Sequence, residues 1–324
     1  MATYKEIHGV KVQYRDSDAT AIEGDVWYNR STGLLKMYAS AGAWATSNDL
    51  NSGRYAVGSA GIQTAALVFG GSGGTALNES YDGSSWTEVA DLGTAKTSFC
   101  GGITGTQTAA LAIGGAPSPG VDVQIWDGSS WGDAAANMNT AKYAGAAMGT
   151  TTAALAAAGE VTATLAIVET FDGSSWTEVG DLNTARAYLG GFGTTTAGII
   201  VGGTDPPTPA KLGITESYDG SSWTEVADLN TVRVKMGVGG TVATSGIIFG
   251  GPAVTNPDTS SALTESWDGS SWTEVGDLNT AKQSGSSGGT STASVTTAGY
   301  GGTPSKVATE EWTVAASIET VAFD

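Results

Sequence analysis

The sequence predicts an all-β protein: a six-bladed β-propeller of four-stranded blades, preceded by a short N-terminal arm. A repeat carries this prediction. The string Asp-Gly-Ser-Ser-Trp occurs five times, ending at Trp86, Trp131, Trp176, Trp223 and Trp272. Counted from a weaker copy that ends at Trp44, successive tryptophans are 42, 45, 45, 47 and 49 residues apart. A period of about 40–50 residues is the length of one four-stranded propeller blade.

Each repeat divides into strands by its residue pattern, as residues 187–229 illustrate. A Gly-rich strand, Tyr188–Gly193, is followed by a threonine turn and the apolar strand Ala197–Val201. After a loop, Ile214–Tyr218 alternates apolar and polar residues, and Asp-Gly-Ser-Ser supplies hairpin-turn chemistry before the outer strand Trp223–Val226. The short Gly-rich strand fits the crowded axis of a propeller, and the alternating strands fit a half-solvated edge.

The number of blades follows from the glycines that end the second strand of each repeat. They occur six times, at 70–71, 114–115, 159, 202–203, 250–251 and 301–302. Segment Leu34–Thr46 is predicted as an extra hairpin, and Thr309–Val314 with Ile318–Phe323 as a last outer pair. We expect a closing blade that mixes N- and C-terminal strands, because closure removes the open sheet edge. The predicted domains are an attachment arm (1–25), ring-closing strands (26–50) and the propeller (51–324).

Composition excludes several functional classes. The 324 residues carry a formal net charge of −18, so a broad nucleic-acid-binding face is not expected. One cysteine, Cys100, cannot form an internal disulfide, and one histidine, His8, leaves no multi-His/Cys zinc site. No apolar run is long enough to span a membrane, and the N-terminus lacks the apolar segment of a secretory signal. We predict no cofactor, no metal and no catalytic residues.

Two repeated features are expected to be structural. Each repeat tryptophan is predicted to pack between adjacent blades, since residues repeated in every unit usually serve packing. The alternative is a sugar-stacking platform, for which Trp27 and Trp312 are the tryptophans most expected to face solvent. The aspartate of each Asp-Gly-Ser-Ser turn is expected to cap its own turn rather than to bind Ca²⁺.

A basic residue recurs ten or eleven residues after each repeat tryptophan, at the start of the innermost strand. The six residues are Arg54, Lys96, Lys142, Arg186, Arg233 and Lys282. One interpretation is that each cation pairs with Asp or Glu of its own or a neighbouring blade. The other is that the ring binds an anionic ligand, such as a sulfated or carboxylated sugar.

Loop length varies almost only between the second and third strands. The long examples are Pro117–Val121, Asp205–Lys211 and Pro252–Ser261, and strand alternation places them at the same end as the basic ring. Variable loops on a rigid repeat commonly build recognition sites, although relaxed constraint explains them as well. We expect this end to bind the ligand or partner, with contacts from Pro119, Asp205, Lys211, Asn256 and Asp258.

Two family resemblances add a biological setting. The double glycine, the Tyr-Asp and the following Trp resemble the kelch-type blade over about residues 38–324. The near-identical Asp-Gly-Ser-Ser-Trp-Thr-Glu-Val units resemble repeat proteins of marine bacteriophages. The stretches Glu23–Asn29 and Gly33–Tyr38 resemble phage tail and virion proteins.

The resemblance implies a non-enzymatic virion protein, present in many copies as a tail-fibre, appendage or capsid-surface component. Its propeller loops would bind a host-surface glycan or receptor, or a neighbouring virion protein. The arm would attach to other virion proteins through Tyr4, Lys5, Ile7, His8, Val10, Val12 and Tyr14. A cellular kelch-type scaffold is the alternative. A polysaccharide-active enzyme is a further one, for which the sequence offers no convergent acid–base pair.

Overall fold

The computed structural model describes residues 12–18, 25–116, 120–205, 211–252, 259–301 and 307–320. Their regular secondary structure consists of β-strands, so the predicted all-β class is confirmed. The chain forms two compact units, Trp44–Trp312 and a second made of Met1–Ala43 with Thr313–Asp324. The division therefore falls at residue 43, and the C-terminal residues join the N-terminal unit. In the described ranges no helix could cross a membrane.

The unit Met1–Ala43/Thr313–Asp324 is organised around three strands. β1 (Gln13–Arg15) pairs in parallel with β2 (Val26–Asn29), and β2 pairs antiparallel with β3 (Leu34–Ser47), which continues into the other unit. Trp27 is fully buried; its Nε1 donates to Asp18 Oδ1 at 3.0 Å. The expectation that Trp27 faces solvent is therefore wrong, because a carboxylate partner lets the whole indole be buried.

The unit Trp44–Trp312 repeats one four-stranded antiparallel motif. The first copy is β4 (Gly58–Ile62), β5 (Ala65–Phe69), β6 (Asn78–Tyr81) and β7 (Trp86–Val89), hydrogen-bonded in that order. The second and third copies comprise β8 (Gly101–Thr106), β9 (Ala109–Ile113), β10 (Val123–Trp126), β11 (Trp131–Asp133), β12 (Ala146–Thr150), β13 (Ala153–Ala157), β14 (Val168–Phe171) and β15 (Trp176–Val179). These two copies share one eight-stranded sheet, because their innermost strands β8 and β12 pair in parallel.

Two further copies follow the same order. The fourth is β16 (Gly190–Gly193), β17 (Gly198–Val201), β18 (Thr215–Tyr218) and β19 (Trp223–Val226). The fifth is β20 (Gly237–Val242), β21 (Ser245–Phe249), β22 (Thr264–Trp267) and β23 (Trp272–Glu274). The strands predicted for residues 187–229 are confirmed; where their ends differ, it is by one or two residues at the N-terminal side.

The last sheet combines both ends of the chain. Its order is β1-β2-β3-β25-β24, where β24 is Ala293–Thr296 and β25 is Thr309–Thr320. A bridge between Gly289 and Ser294 adds an inner segment beside β24. The hairpins predicted at 34–46 and 309–323 are wrong: β3 and the described part of the C-terminal segment are continuous strands. Neither segment contains the Asp-Gly pair that turns the chain in the other repeats.

The repeat tryptophans pack each repeat against the preceding one, as predicted. Trp223 packs in one buried cluster with Leu155 and Leu182 of the previous repeat. Where the preceding repeat offers a threonine hydroxyl, the indole Nε1 donates to it. Examples are Trp272 to Thr215 at 3.1 Å, Trp44 to Thr264 at 3.2 Å and Trp86 to Thr309 at 2.9 Å. Packing between neighbouring repeats is therefore the role of these side chains.

Trp312 occupies a different repeated position, and the expectation that it faces solvent is wrong. It is 2 % exposed, and its Nε1 donates to the carbonyl of Ser291 at 2.9 Å. Trp126 and Trp267 make the same kind of bond, to the carbonyls of Gln107 and Ala243. Trp312 thus occupies the position of the aromatic residue that ends the third strand in other repeats, although its own strand continues to Thr320.

The Asp-Gly-Ser-Ser turns are capped by their own aspartate, as expected. In the fourth repeat, Asp219 Oδ1 accepts hydrogen bonds from the backbone N–H and hydroxyl of Ser221 and from the N–H of Ser222, each at 2.8 Å. These bonds lower the pKa of Asp219 to about 2. The following Gly220 has φ +95°, a conformation that glycine adopts without steric cost.

Candidate binding site around the inner segments

The six basic residues of the predicted ring are buried, between 0 and 6 % exposed. Each pairs with a carboxylate. Arg54 meets Glu79 at 2.6 Å, Lys142 meets Glu169 at 3.2 Å and Lys282 meets Glu310 at 3.4 Å. Arg186 pairs with Glu216, Arg233 with Glu265, and Lys96 with Asp122.

The five glutamates among these carboxylates also receive backbone hydrogen bonds, which explains why their pairs tolerate burial. Glu216 Oε2 accepts from the N–H and the side-chain amide of Asn183, at 2.7 and 2.8 Å. A buried ion pair is tolerated only when further hydrogen bonds satisfy its atoms. The geometry therefore gives the six cations the ion-pairing role. The anion-binding hypothesis is not retained for Arg54, Lys96, Lys142, Arg186, Arg233 and Lys282, because a buried, neutralised cation has no face for a ligand.

The second repeat departs from this pattern and compensates for it. It carries Gln124 where the other repeats carry glutamate, and the amide bonds Thr94 instead. Lys96 turns to Asp122 at 3.1 Å, whose side chain is 59 % exposed. The pairing function is kept even though the acid has moved by two positions.

Two residues after each ring cation, the backbone adopts positive φ. The six residues are Ala56, Ser98, Ala144, Tyr188, Lys235 and Ser284, with φ between 52° and 58°. Non-glycine residues occupy this region only where surrounding structure compensates, at a cost of about 1–3 kcal/mol each. The compensation here is a shared set of backbone hydrogen bonds.

These six residues, called the inner ring below, are joined head to tail. The N–H of Ser98 donates to the carbonyl of Ala56, and Ala144 to Ser98, both at 2.9 Å. Tyr188 donates to Ala144 and Lys235 to Tyr188, at 2.7 and 2.9 Å. Ser284 donates to Lys235 at 2.8 Å, and Ala56 closes the circuit by donating to Ser284 at 2.7 Å. One residue from every repeat thus takes part in a closed ring of six hydrogen bonds.

A cavity of about 210 Å³ lies within this ring. It is lined by the inner ring and by the inner-segment residues that follow it, among them Ser59, Gly102, Gly145, Gly190 and Ser287. The ring's own N–H and C=O groups are used in the ring bonds. The polar groups that the inner ring itself offers to a ligand must therefore come from its side chains.

The inner ring is chemically uneven. Four members are Ala or Ser, whereas the adjacent Tyr188 and Lys235 are large. The Lys235 ammonium lies 5.0 Å from the centre of the Tyr188 ring. The Tyr188 hydroxyl donates to Glu160 Oε1 at 2.8 Å. Burial, then the bond to Glu160, raises the pKa of Tyr188, so the phenol stays protonated.

The bases of the variable loops lie at the same end as the inner ring, in agreement with strand alternation. The bases of the loops form bridges to the segments that carry the ring cations: Gly120 with Lys142, and Ser261 with Lys282. Lys211 bridges to Thr204, and Asp205 Oδ1 accepts from Thr164 Oγ1 at 2.9 Å. Pro119, Asn256 and Asp258 lie outside the described residues, so their predicted contacts stay predictions.

The predicted attachment residues are mostly outside the described ranges as well: Tyr4, Lys5, Ile7, His8 and Val10. Val12 and Tyr14 are described and are exposed, by 39 % and 69 %. Tyr14 stands beside Tyr28, with ring centres 5.8 Å apart. Their proposed contact with other virion proteins stays a prediction.

Sequence reasoning missed two sets of residues that a repeat alignment signals. The buried carboxylates stand two residues before the third-strand aromatic, as in Glu216 before Tyr218. The inner ring stands two residues after each cation, where Tyr188 and Lys235 break an Ala/Ser pattern. A comparison of aligned repeats, rather than of loop lengths, would have identified both. No cluster of three or more His, Cys, Asp or Glu that could hold a metal occurs among the residues the structure describes.

No protein-family model matches the chain, and no curated protein sequence matches it. Its fold is similar to that of a solved structure titled "Structure of YjhT", with a TM-score of 0.67 and 11 % sequence identity. The match covers 84 % of this chain and 99 % of that one. At this identity the likeness concerns the fold alone. Together with the repeated four-stranded sheets, it supports a β-propeller-like architecture.

Proposed function

We propose that this protein is a non-enzymatic, six-bladed kelch-like propeller that binds a ligand or partner at the inner-ring end. The observation that carries the proposal is the closed ring of six backbone hydrogen bonds around a cavity. Six repeats joined head to tail without a gap are what a six-bladed ring requires. In this arrangement β3 supplies the fourth strand of the sixth blade, counted from the inner segment.

The indole of Trp44, carried by β3, supports this closure. It donates to Thr264 of the fifth repeat, as Trp272 donates to Thr215 of the fourth. The side-chain amide of Asn279 donates to the Trp44 carbonyl at 3.0 Å, and that of Asn230 donates to the Trp272 carbonyl at 2.8 Å. An N-terminal strand therefore makes the contacts of a regular outer strand.

Binding rather than catalysis is proposed because of the side chains that line the cavity. The inner ring contributes one phenol and one ammonium, and its other members are Ala and Ser. The nearby Glu160 carboxylate accepts the Tyr188 hydroxyl rather than facing a second acid. General acid–base catalysis uses groups that converge on one reacting bond.

The biological setting is proposed from the sequence resemblance: a bacteriophage virion protein of a tail fibre, appendage or capsid surface. Many weakly binding copies on one particle would bind a host glycan, a receptor or a neighbouring virion protein with avidity. Mass spectrometry of purified particles tests the setting directly. Absence of the protein from the particle would refute the virion proposal and favour a cellular kelch-type scaffold.

The binding end is tested by replacing Asp205–Lys211 with a two-residue turn and measuring adsorption of the purified protein to host cells. We expect adsorption to fall at least fivefold. The control is Thr195→Ala, in the turn between β16 and β17 at the opposite end of these strands. Unchanged adsorption of the loop variant, with an unchanged unfolding temperature, would count against this end as the binding surface.

A further inference from the structure

We infer that Lys235 is the anion-recognising residue of this protein and that the inner ring receives the carboxylate of a sugar acid. The inference rests on the proposed binding end and names its ligand class. Four observations lead to it: an unpaired ammonium, an aromatic support for it, free hydroxyls beside and across from it, and a cavity of limited size.

The ammonium of Lys235 is exceptional among the basic groups that the structure describes. Eight basic side chains form ion pairs with carboxylates. Lys235 makes no ion pair and donates no side-chain hydrogen bond within the described ranges; its ammonium contacts the Tyr188 ring. In a chain of net charge −18, a cation left without a carboxylate at a cavity is a site for a ligand's negative charge.

Tyr188 supports this ammonium. The face of the phenol carries the cation 5.0 Å from its centre, and the hydroxyl on its edge is anchored by Glu160. The backbone fixes the pair further, since the N–H of Lys235 donates to the carbonyl of Tyr188 at 2.9 Å. A cation placed on a ring in this way is attracted without being neutralised, so its charge stays available.

A second cation is coupled to this ammonium. Burial, and then the charge of Lys235, lower the pKa of Lys211. Lys211 belongs to the variable loop between β17 and β18. A ligand bound at Lys235 would therefore lie near the inner ring and near the variable loop Asp205–Lys211, which the sequence analysis predicted as a contact region.

The hydroxyl groups of the inner ring indicate a second property of the ligand: it must carry hydrogen-bonding groups as well as a negative charge. The side chains of Ser98 and Ser284 line the cavity and make no hydrogen bond within the described part of the chain. Ser284 neighbours Lys235 in the ring, and Ser98 stands three members away, on the opposite side. A ligand spanning the ring would thus meet a charge on one side and a hydroxyl partner on the other. A carboxylate that also carries hydroxyl groups has this chemistry.

The size of the cavity suits a single sugar residue. At about 210 Å³ it is smaller than the roughly 300–1,000 Å³ typical of sites for drug-sized molecules. A single sugar acid, free or at the end of a host polysaccharide, presents the carboxylate and hydroxyls within one ring. The free sugar acid and the polysaccharide end present the same carboxylate and hydroxyl groups, so an experiment must distinguish them.

Calorimetric titration of the full chain with glucuronate and with glucose tests the inference. We expect glucuronate to bind at least tenfold more tightly than glucose. Lys235→Met, which keeps the length of the side chain and removes its charge, should weaken glucuronate at least tenfold and leave glucose unchanged. Lys36→Met, in the other compact unit, removes an equal charge and should change neither. An oligosaccharide ending in glucuronate, binding more tightly than the free acid, would identify a chain end as the source.

Four results would overturn the inference. The first two are that glucuronate binds Lys235→Met as tightly as it binds the parent protein, and that the parent protein binds glucuronate no more tightly than glucose. A tetraglutamate peptide that outcompetes glucuronate and depends on Lys235 would replace the sugar with an acidic protein partner. Host adsorption lost on replacing 205–211 but kept in Lys235→Met would preserve the proposed binding end while refuting the role of Lys235.

Discussion

The indole of Trp176 offers a sharp test of how the repeats are stabilised. Its Nε1 is buried and has no hydrogen-bond partner among the residues that the structure describes. In three other repeats the equivalent indole donates to a threonine of the preceding sheet, such as Thr215. The repeat that precedes Trp176 carries Val123 at that position, 1 % exposed. Val123→Thr should therefore supply the missing acceptor and stabilise the protein.

The magnitude follows from three contributions. A neutral hydrogen bond contributes about 1 kcal/mol, and pairing a previously unsatisfied buried N–H adds about 1 kcal/mol or more. Burying a hydroxyl in place of a methyl group costs about 1 kcal/mol in mutational data. The free energy of unfolding should rise by about 1 kcal/mol, measured by urea denaturation with circular dichroism.

The third repeat provides a matched control. Val168 occupies the same position, but Trp223, the indole that faces it, already donates to the carbonyl of Gly180 at 3.0 Å. Val168→Thr gains no bond and should cost about 1 kcal/mol from the buried hydroxyl alone. The reverse change, Thr215→Val, should cost about 1–2 kcal/mol because it leaves Trp272 unpaired. Equal destabilisation by Val123→Thr and Val168→Thr would refute the reasoning.

Two other predictions concern charge. Glu216→Gln leaves Arg186 buried without its carboxylate and should cost about 3–5 kcal/mol of unfolding free energy. Asp122→Asn removes the 59 % exposed partner of Lys96 and should cost about 1 kcal/mol or less. If urea denaturation showed equal losses of unfolding free energy for Glu216→Gln and Asp122→Asn, burial would not explain the strength of these ion pairs. The Asp219 carboxyl has its pKa lowered from 3.8 to about 2 in the folded protein, so its contribution is full above pH 4 and is lost as pH falls towards 2. Asp219→Asn should flatten the fall of the unfolding temperature across that window, and an unchanged slope would argue against the turn bonds.

Most of what could be predicted about the fold came from the repeat, because the same residue pattern occurs several times in the sequence. The strands of residues 187–229, the inter-repeat packing of the tryptophans and the capped turns follow from local chemistry: alternation, indole size and the Asp-Gly pair. The ends of the chain were harder to predict. Segments 34–46 and 309–320 lack a turn signal, and their pairing depends on strands hundreds of residues away, which no local pattern records.

The candidate site shows where repetition misleads. The six ring cations recur in register, and recurrence made them attractive as a binding surface. A feature present in every repeat, however, is what a symmetric scaffold needs: each cation–carboxylate pair fixes the start of an inner segment, and two residues later the chain turns into the ring.

A ligand that must be recognised in one orientation requires asymmetry. The inner ring supplies it at Tyr188 and Lys235, where the backbone geometry of the repeat is kept and the side chains are not. Since backbone hydrogen bonds define the ring, its side chains can vary without loss of the fold. We therefore expect the members of the ring, and not the buried cations beneath it, to determine what this protein binds.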